Sequence, residues 1–219
     1  MHTRFTQRIP AVLLALTALA GLNRGPAAAD AQPEAPAAVI ERTASALASK
    51  LEGRQAYFTT NTAELNSLVD KLLLPGFDVT YASKLVLGRD HWMAATPEQR
   101  ERFAQAFYGF LVRTYAKGLL GFDQTKMTID PNPRYSKDGN KALVSTRLAL
   151  AAGDPVQINY ALRSSAGDWK MYDVRIDGVS YIQNYRNQFD AEISSRGIQA
   201  VIERLEAEDL RSAANDTDA

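Results

Sequence analysis

The sequence predicts an α+β fold, with helices packed on one face of a strongly twisted antiparallel sheet. Three observations carry that expectation. Apolar residues recur at helical spacing from Ala37 to about Leu119. From Met127 to Ile176 the period shortens to two, and after Val179 the helical period returns. Helices, then strands, then helix is the order of an α+β layering and not of alternating βαβ units. A twisted sheet wrapped around helices would enclose a cone-like cavity.

The first 29 residues read as a secretory signal. Arg4 and Arg8 precede a short apolar run from Ile9 to Leu22, and Ala27-Ala28-Ala29 offers a small-residue cleavage site. The chain is then expected to be exported by a cleaved leader, with the mature protein beginning at Asp30 or, if cleavage follows Ala31, at Gln32. The run falls short of the ~20 residues of a membrane span, and no cysteine follows it to carry a lipid anchor. Asp30 to Pro36 is Ala-, Pro- and Gln-rich and reads as a flexible linker. One domain is expected over residues 37–210, with a polar, frayed tail over residues 211–219.

Within the domain the first helix should cover Ala37 to Leu51 and stop at Gly53. Asn61 with Glu64 resembles a capping box opening a second helix through Leu65, Val69 and Leu72. Pro75-Gly76 halts it. Asp78 can cap a third, Val79 to Leu87, ended by Gly88. Thr96-Pro97-Glu98-Gln99 combines an N-cap, a proline at the first helical position and a capping-box glutamine. The long helix it opens should reach about Leu119, with Phe103, Phe107, Phe110, Leu111 and Tyr115 along one stripe.

Met127 and Ile129 suggest a short strand, and Pro133 to Asn140 is turn material. Ala142, Val144, Thr146, Leu148 and Leu150 alternate with polar residues, as do Val156, Ile158, Tyr160 and Leu162 after the Gly153-Asp154-Pro155 turn. Tyr172, Val174 and Ile176 then alternate with Asp173, Arg175 and Asp177. Short links join these runs, so they form a meander with one apolar and one wet face. Gly178 bends the chain into a closing helical region carrying Val179, Ile182, Tyr185 and Phe189, then Ile198, Val201, Ile202 and Leu205.

The residues that would carry catalysis are scarce. The chain has no cysteine, which excludes disulfides, thiolate metal sites and cysteine nucleophiles. Its two histidines are His2, within the leader, and His91, so neither a triad nor a histidine metal site is expected. Asp173, Asp177 and Asp190 could be imagined as acid–base carboxylates, but the first two sit on the polar face and read as solvated or loop-bonding. Glycines are scattered at element ends and form no phosphate loop. No cofactor and no metal are expected. With 25 basic and 25 acidic residues the formal charge is zero, and loss of three leader arginines makes it slightly negative. Such a chain has no electrostatic footprint for nucleic acid.

What remains is an apolar inventory. The stripe of the long helix faces a sheet carrying Val144, Leu148, Ile158, Tyr160, Leu162, Tyr172, Val174 and Ile176, with Val179 and Ile182 beyond the bend. A filled core and a lined cavity produce the same pattern. If helix and sheet stand apart, the gap can hold a lipid, and tyrosines suit its mouth. Two other readings are a small-molecule enzyme of isomerase or dehydratase type on the same cone, and an envelope adaptor that works through its outer surface.

Five segments in series resemble the MlaC family, also called toluene-tolerance auxiliary proteins. They are L-L-L-P-G-F-D-V-T-Y-A-S-K-L-V-L-G (Leu72 to Gly88), A-T-P-E-Q-R-E-R-F (Ala95 to Phe103), F-L-V-R-T-Y-A (Phe110 to Ala116), W-K-M-Y-D-V-R-I-D-G-V-S-Y-I-Q-N-Y-R-N-Q-F (Trp169 to Phe189) and the I-S-S-R-G-I-Q-A-V-I-E-R-L tail. The resemblance spans Val39 to Leu205. It implies a nuclear-transport-factor-like cone around an apolar pocket that takes phospholipid acyl tails, with the headgroup outside. It further implies a monomeric periplasmic shuttle between an outer-membrane lipoprotein–porin complex and an inner-membrane ABC transporter with an MCE-domain subunit, maintaining outer-membrane lipid asymmetry. The pocket candidates are then the fifteen apolar positions of the helix stripe, the sheet face and the bend named above.

Overall fold

A computed structural model describes residues 34–150 and 152–217, with side chains as far as Arg211. The expected leader, its cleavage site and the linker up to residue 33 lie outside the described residues. The chain begins with α1 (Pro36–Leu51), α2 (Gln55–Thr60), α3 (Thr62–Leu73), α4 (Val79–Ala94) and α5 (Pro97–Tyr115). The strands are β1 (Met127–Ile129), β2 (Arg134–Tyr135), β3 (Lys141–Leu148), β4 (Val156–Ser165), β5 (Asp168–Ile176) and β6 (Val179–Ser180). Helices α6 (Tyr181–Arg196) and α7 (Ile198–Thr217) close the chain. Helices and one antiparallel sheet follow in the order expected of an α+β fold. Among the described residues no helix is long and apolar enough to cross a membrane.

Side-chain caps open α4, α5 and α6. At α5 the Thr96 hydroxyl accepts from Gln99 N–H and the Gln99 side chain accepts from Thr96 N–H, both at 3.1 Å. At α4 the Asp78 carboxylate accepts from Tyr81 N–H at 3.0 Å. The box expected at Asn61 does not form. Helix α2, which the periodicity did not reveal, delivers Tyr57 to that spot. Asn61 donates its amide to the Tyr57 carbonyl at 2.8 Å, and Glu64 takes the Tyr57 hydroxyl at 2.6 Å. Gly88 kinks α4 instead of ending it. Its φ of 67° and ψ of 178° lie in a region open essentially to glycine alone, and the helix resumes to Ala94. Helix α5 stops at Tyr115, where a 3₁₀ turn over Ala116–Gly121 takes over. Helix α7 runs on to Thr217, past the fraying expected at Arg211.

The strand order is β1-β3-β4-β5-β6, with β2 sharing the β3 edge with β1, and all pairings are antiparallel. Two tight hairpins join β4 to β5 and β5 to β6. Their central residues, Ala166-Gly167 and Asp177-Gly178, all have positive φ. That is the twist-matched turn for which Asp-Gly is a strong signal. Val144, Tyr160 and Val174 form one cross-strand row, and Thr146, Ile158 and Ile176 the next. The β4–β5 register shifts between Ala161 and Leu162, which leaves Tyr172 as the extra residue of a bulge.

Apolar burial divides into three clusters. The largest joins α4, α5, α6 and α7 around Phe103, Phe107, Phe189 and Ile202. A second joins α1, α2, α3 and α5 around Leu51, Phe58, Leu65 and Val69. A small third pins Val39 and Ile40 of α1 onto Val144 and Leu162 of the sheet. The aromatic stripe of α5 therefore faces mainly helices, not the sheet. Phe103 stacks on Phe107 at 5.8 Å and meets Phe189 edge-on at 5.6 Å. Phe110 meets Tyr185 at 5.5 Å and Phe189 at 6.4 Å. Helix α6 offers this stripe flat aromatic partners in Tyr185 and Phe189, and α7 adds aliphatic ones in Val201, Ile202 and Leu205.

Candidate functional site

Where α1, α5, the Ala116–Gly121 turn, α6 and the sheet fail to meet, they leave an apolar cavity of about 570 Å³. That lies within the ~300–1,000 Å³ of small-molecule sites. The lining is overwhelmingly carbon. Water is a poor occupant of such a space, because each molecule needs two to four polar partners. An apolar guest is the natural filler.

Ten of the fifteen sequence-predicted positions line this cavity: Phe107, Leu111, Tyr115, Leu148, Ile158, Tyr160, Tyr172, Val174, Ile176 and Ile182. The other five are elsewhere. Phe103 and Phe110 belong to the helical core. Val144 and Leu162 share the inner sheet face with Tyr160 and Val174, but α1 covers them and both are 0% exposed. Val179 follows the Asp177-Gly178 turn on edge strand β6 and is 60% exposed. Alternation identified the apolar face but not where along each strand another element sits down on it.

Several lining residues escaped the sequence reading. Helix α1 contributes Val39, Thr43 and Leu47, α3 contributes Val69 and Leu73, and the 3₁₀ turn and the residue after it contribute Leu119 and Phe122. The Gly118–Phe122 stretch carried a usable signal: two leucines between glycines followed by a phenylalanine, where a solvated loop would be polar. Met171 also lines the wall, because the bulge at Tyr172 breaks strict alternation.

Asp173, expected to be solvated or loop-bonding on the polar face, is not solvated. It is 4% exposed and borders the cavity. Its carboxylate accepts from the Ser180 hydroxyl at 2.8 Å, from Ile182 N–H at 3.1 Å and from Arg175 Nε at 3.3 Å. It thereby ties the first turn of α6 to β5. The Ser180 hydroxyl in turn accepts from Gln183 N–H at 3.1 Å. His91 sits on α4 with Nε2 2.9 Å from Asp190 Oδ1. Among the described residues no group of three or more His, Asp or Glu is arranged to hold a metal ion.

The wall's other polar atoms are mostly phenols. The Tyr115 and Tyr185 hydroxyls are 2.6 Å apart, and the Tyr115 ring meets Tyr181 edge-on at 5.4 Å. Burial pushes the pKa of Tyr108, Tyr160, Tyr172, Tyr181 and Tyr185 upward. These groups stay neutral at physiological pH and are not poised to abstract protons. The site offers a shaped apolar volume with a few neutral hydroxyls at its border.

Sequence comparison accounts for this architecture. A model of the MlaC protein family matches residues 41–207. The chain belongs to the MlaC family. Among MlaC-like relatives, the toluene tolerance protein ttg2D of Pseudomonas putida is 26% identical over 164 residues, 75% of each chain. The intermembrane phospholipid transport system binding protein MlaC of Haemophilus influenzae is 25% identical over 174 residues, 78% of this chain and 80% of that one. A phospholipid-binding protein from Ralstonia solanacearum, solved in complex with a phospholipid, superposes with a TM-score of 0.68 at 27% identity. It covers 80% of this chain and 97% of its own. The family expectation from the five sequence segments is met, and so is the α+β fold.

Proposed function

We propose that this protein is a periplasmic phospholipid carrier that holds acyl tails in the apolar cavity. The observation that carries the reading is a 570 Å³ apolar cavity in a chain of the MlaC family. Relatives named for phospholipid transport and phospholipid binding support it. Burying a methylene is worth ~0.8 kcal/mol, so two tails of roughly 16 carbons amount to ~25 kcal/mol before costs. Non-covalent affinities saturate near ~20 kcal/mol. A lipid therefore does not cross water unaided at a useful rate, and a protein with a matching cavity lowers that barrier without any bond being made or broken.

On this reading the protein needs no cofactor and catalyses no reaction. The one carboxylate at the cavity wall, Asp173, is engaged in holding α6, and the phenols beside it are held neutral. Loading and unloading take place on docked membrane complexes. These are an outer-membrane lipoprotein–porin complex at one end and an ABC transporter with an MCE-domain subunit at the other, serving outer-membrane lipid asymmetry. Native mass spectrometry of the delipidated protein after incubation with phospholipid vesicles tests the proposal. A one-to-one complex of protein with diacyl phospholipid is expected. A folded protein that extracts no lipid would overturn it.

A further inference from the structure

A second recess, of about 250 Å³, lies beside the apolar cavity and differs from it in chemistry. Helix α4 contributes Tyr81, β3 contributes Lys141, β5 contributes Tyr172, Asp173 and Arg175, and α6 contributes Gln183 and Arg186. Three cations thus meet one carboxylate. That carboxylate already has three donors, from Ser180, Ile182 and Arg175. Arg175 is held through Nε, which leaves its terminal nitrogens free for another acceptor.

The other two cations have no carboxylate within ion-pair distance among the described residues. The Lys141 ammonium stands 5.8 Å from the Tyr81 ring centroid. Arg186 makes no hydrogen bond or ion pair among the described residues. Its position is set by Gly88: a Cβ there would lie 2.9 Å from Arg186 Nη2, so the missing side chain lets the guanidinium lie against the kink of α4. The nearby Arg163 is different, because Asp78 already neutralises it at 3.3 Å. The first N–H groups of α6 are also taken, by Asp173 and Ser180. Charge in the recess therefore comes from side chains, and it is in excess.

Three residues, Tyr172, Asp173 and Ile182, line both the recess and the apolar cavity. A place for hydrocarbon and a place for an anion therefore lie next to each other. A glycerophospholipid has that layout, with its phosphate a few bonds from the start of its tails. We propose that the recess is a phosphate-ester subsite, in which Lys141, Arg175 and Arg186 receive the phosphate of a lipid whose tails occupy the neighbouring cavity. The proposal rests on the tail-binding reading above for its lipid source. A free phosphate ester shares the chemistry. The headgroup substituent beyond the phosphate projects to solvent, so the subsite selects for a phosphate and not for a headgroup type.

The test uses the delipidated mature protein and the variants Lys141→Gln, Arg186→Gln and the double variant. Both residues are exposed, and urea midpoints check that the variants fold. Affinity is measured for dihexanoyl phosphatidylglycerol, for dihexanoylglycerol and for glycerol 3-phosphate. Removing one charge-assisted hydrogen bond at either position should weaken phospholipid binding about tenfold, with dihexanoylglycerol binding unchanged and the double variant near parity between the two. If the two diacyl ligands bind wild type equally, but glycerol 3-phosphate binds and the double variant loses it, the recess takes free phosphate esters. If phospholipid shows no advantage and glycerol 3-phosphate no variant-sensitive binding, the subsite proposal fails. Failure of both diacyl ligands to bind removes the tail-binding reading instead, and glycerol 3-phosphate alone then decides the subsite.

Discussion

Replacing Ile158 by alanine separates a cavity wall from a filled core. Ile158 lies on the inner sheet face between Thr146 and Ile176 and borders the cavity. Leu162, four residues further along the same strand and the same face, is 0% exposed under α1. In a close-packed core a large-to-alanine change costs about 2–5 kcal/mol, because buried methyl groups disappear and a void remains. Leu162→Ala should fall in that range. Ile158 already lacks partner atoms on its inner side in lipid-free protein. Its truncation should therefore cost about 1 kcal/mol. The larger effect belongs to the complex. Three side-chain carbons at ~0.8 kcal/mol each remove up to ~2.4 kcal/mol of burial against the lipid, roughly 50-fold in affinity. Urea unfolding of delipidated protein reads the first quantity, and titration with a short-chain phospholipid reads the second. Equal stability losses for the two variants, with unchanged lipid affinity for Ile158→Ala, would refute the cavity argument.

Further outcomes follow from the same geometry. Asp173→Ala leaves the Ser180 hydroxyl, Ile182 N–H and Arg175 without their acceptor; it should cost about 3 kcal/mol in urea unfolding, and Asp173→Asn distinctly less. A loss below about 1 kcal/mol for the alanine variant would remove Asp173 as the tie between β5 and α6. Gly88→Ala forces a side chain onto a φ of 67° and should cost about 1–3 kcal/mol; an unchanged melting temperature would show that the kink relaxes freely. Arg204 hydrogen-bonds Glu192 at 2.7 and 2.8 Å and holds its carboxyl below the ordinary 4.5. A depressed carboxylate stabilises the fold above its unfolded pKa and loses that contribution as pH falls through the folded one. Stability should therefore drop below about pH 4.5, and Arg204→Met should flatten that part of the profile. A variant with the wild-type acid limb would contradict the assignment.

The fold was largely legible because its signals are local. Thr96 and Asp78 announce their helices through backbone hydrogen bonds made within three residues. The three long strands declare themselves by period, and Asp177-Gly178 declares its turn by conformational preference. What was not legible depended on neighbours distant in sequence or on elements too short to show a period. Asn61 and Glu64 had the right spacing for a capping box, but Tyr57 from an unforeseen short helix reached them first. Gly88 reads as a stop, yet the chain resumes its helix with Arg186, almost a hundred residues on, packed against the kink.

The candidate site shows the same boundary. Which face of each strand is apolar follows from a period of two. Whether Val144 meets α1 or a cavity depends on where Val39 and Ile40 land, which no local pattern encodes. Phe103 and Phe110 were assigned to the sheet because α5 and the sheet were the two most apolar surfaces in view; α6 and α7 bury them instead. Asp173 read as solvated or loop-bonding because alternation placed it opposite Val174, and only the fold of α6 over β5 reveals Ser180 and Ile182 as donors to it.

The central claim is that acyl tails lie against the cavity wall and nowhere else in the interior. Photo-crosslinking with a phospholipid that carries a diazirine in one tail tests it most directly, with labelled residues located by peptide mass spectrometry. Adducts are expected at Leu111, Leu148, Ile158, Val174 and Ile182, which line the cavity, and not at Phe103, Val144 or Leu162, which are buried in core. Adducts spread over the outer surface, or found at the core residues instead, would contradict it.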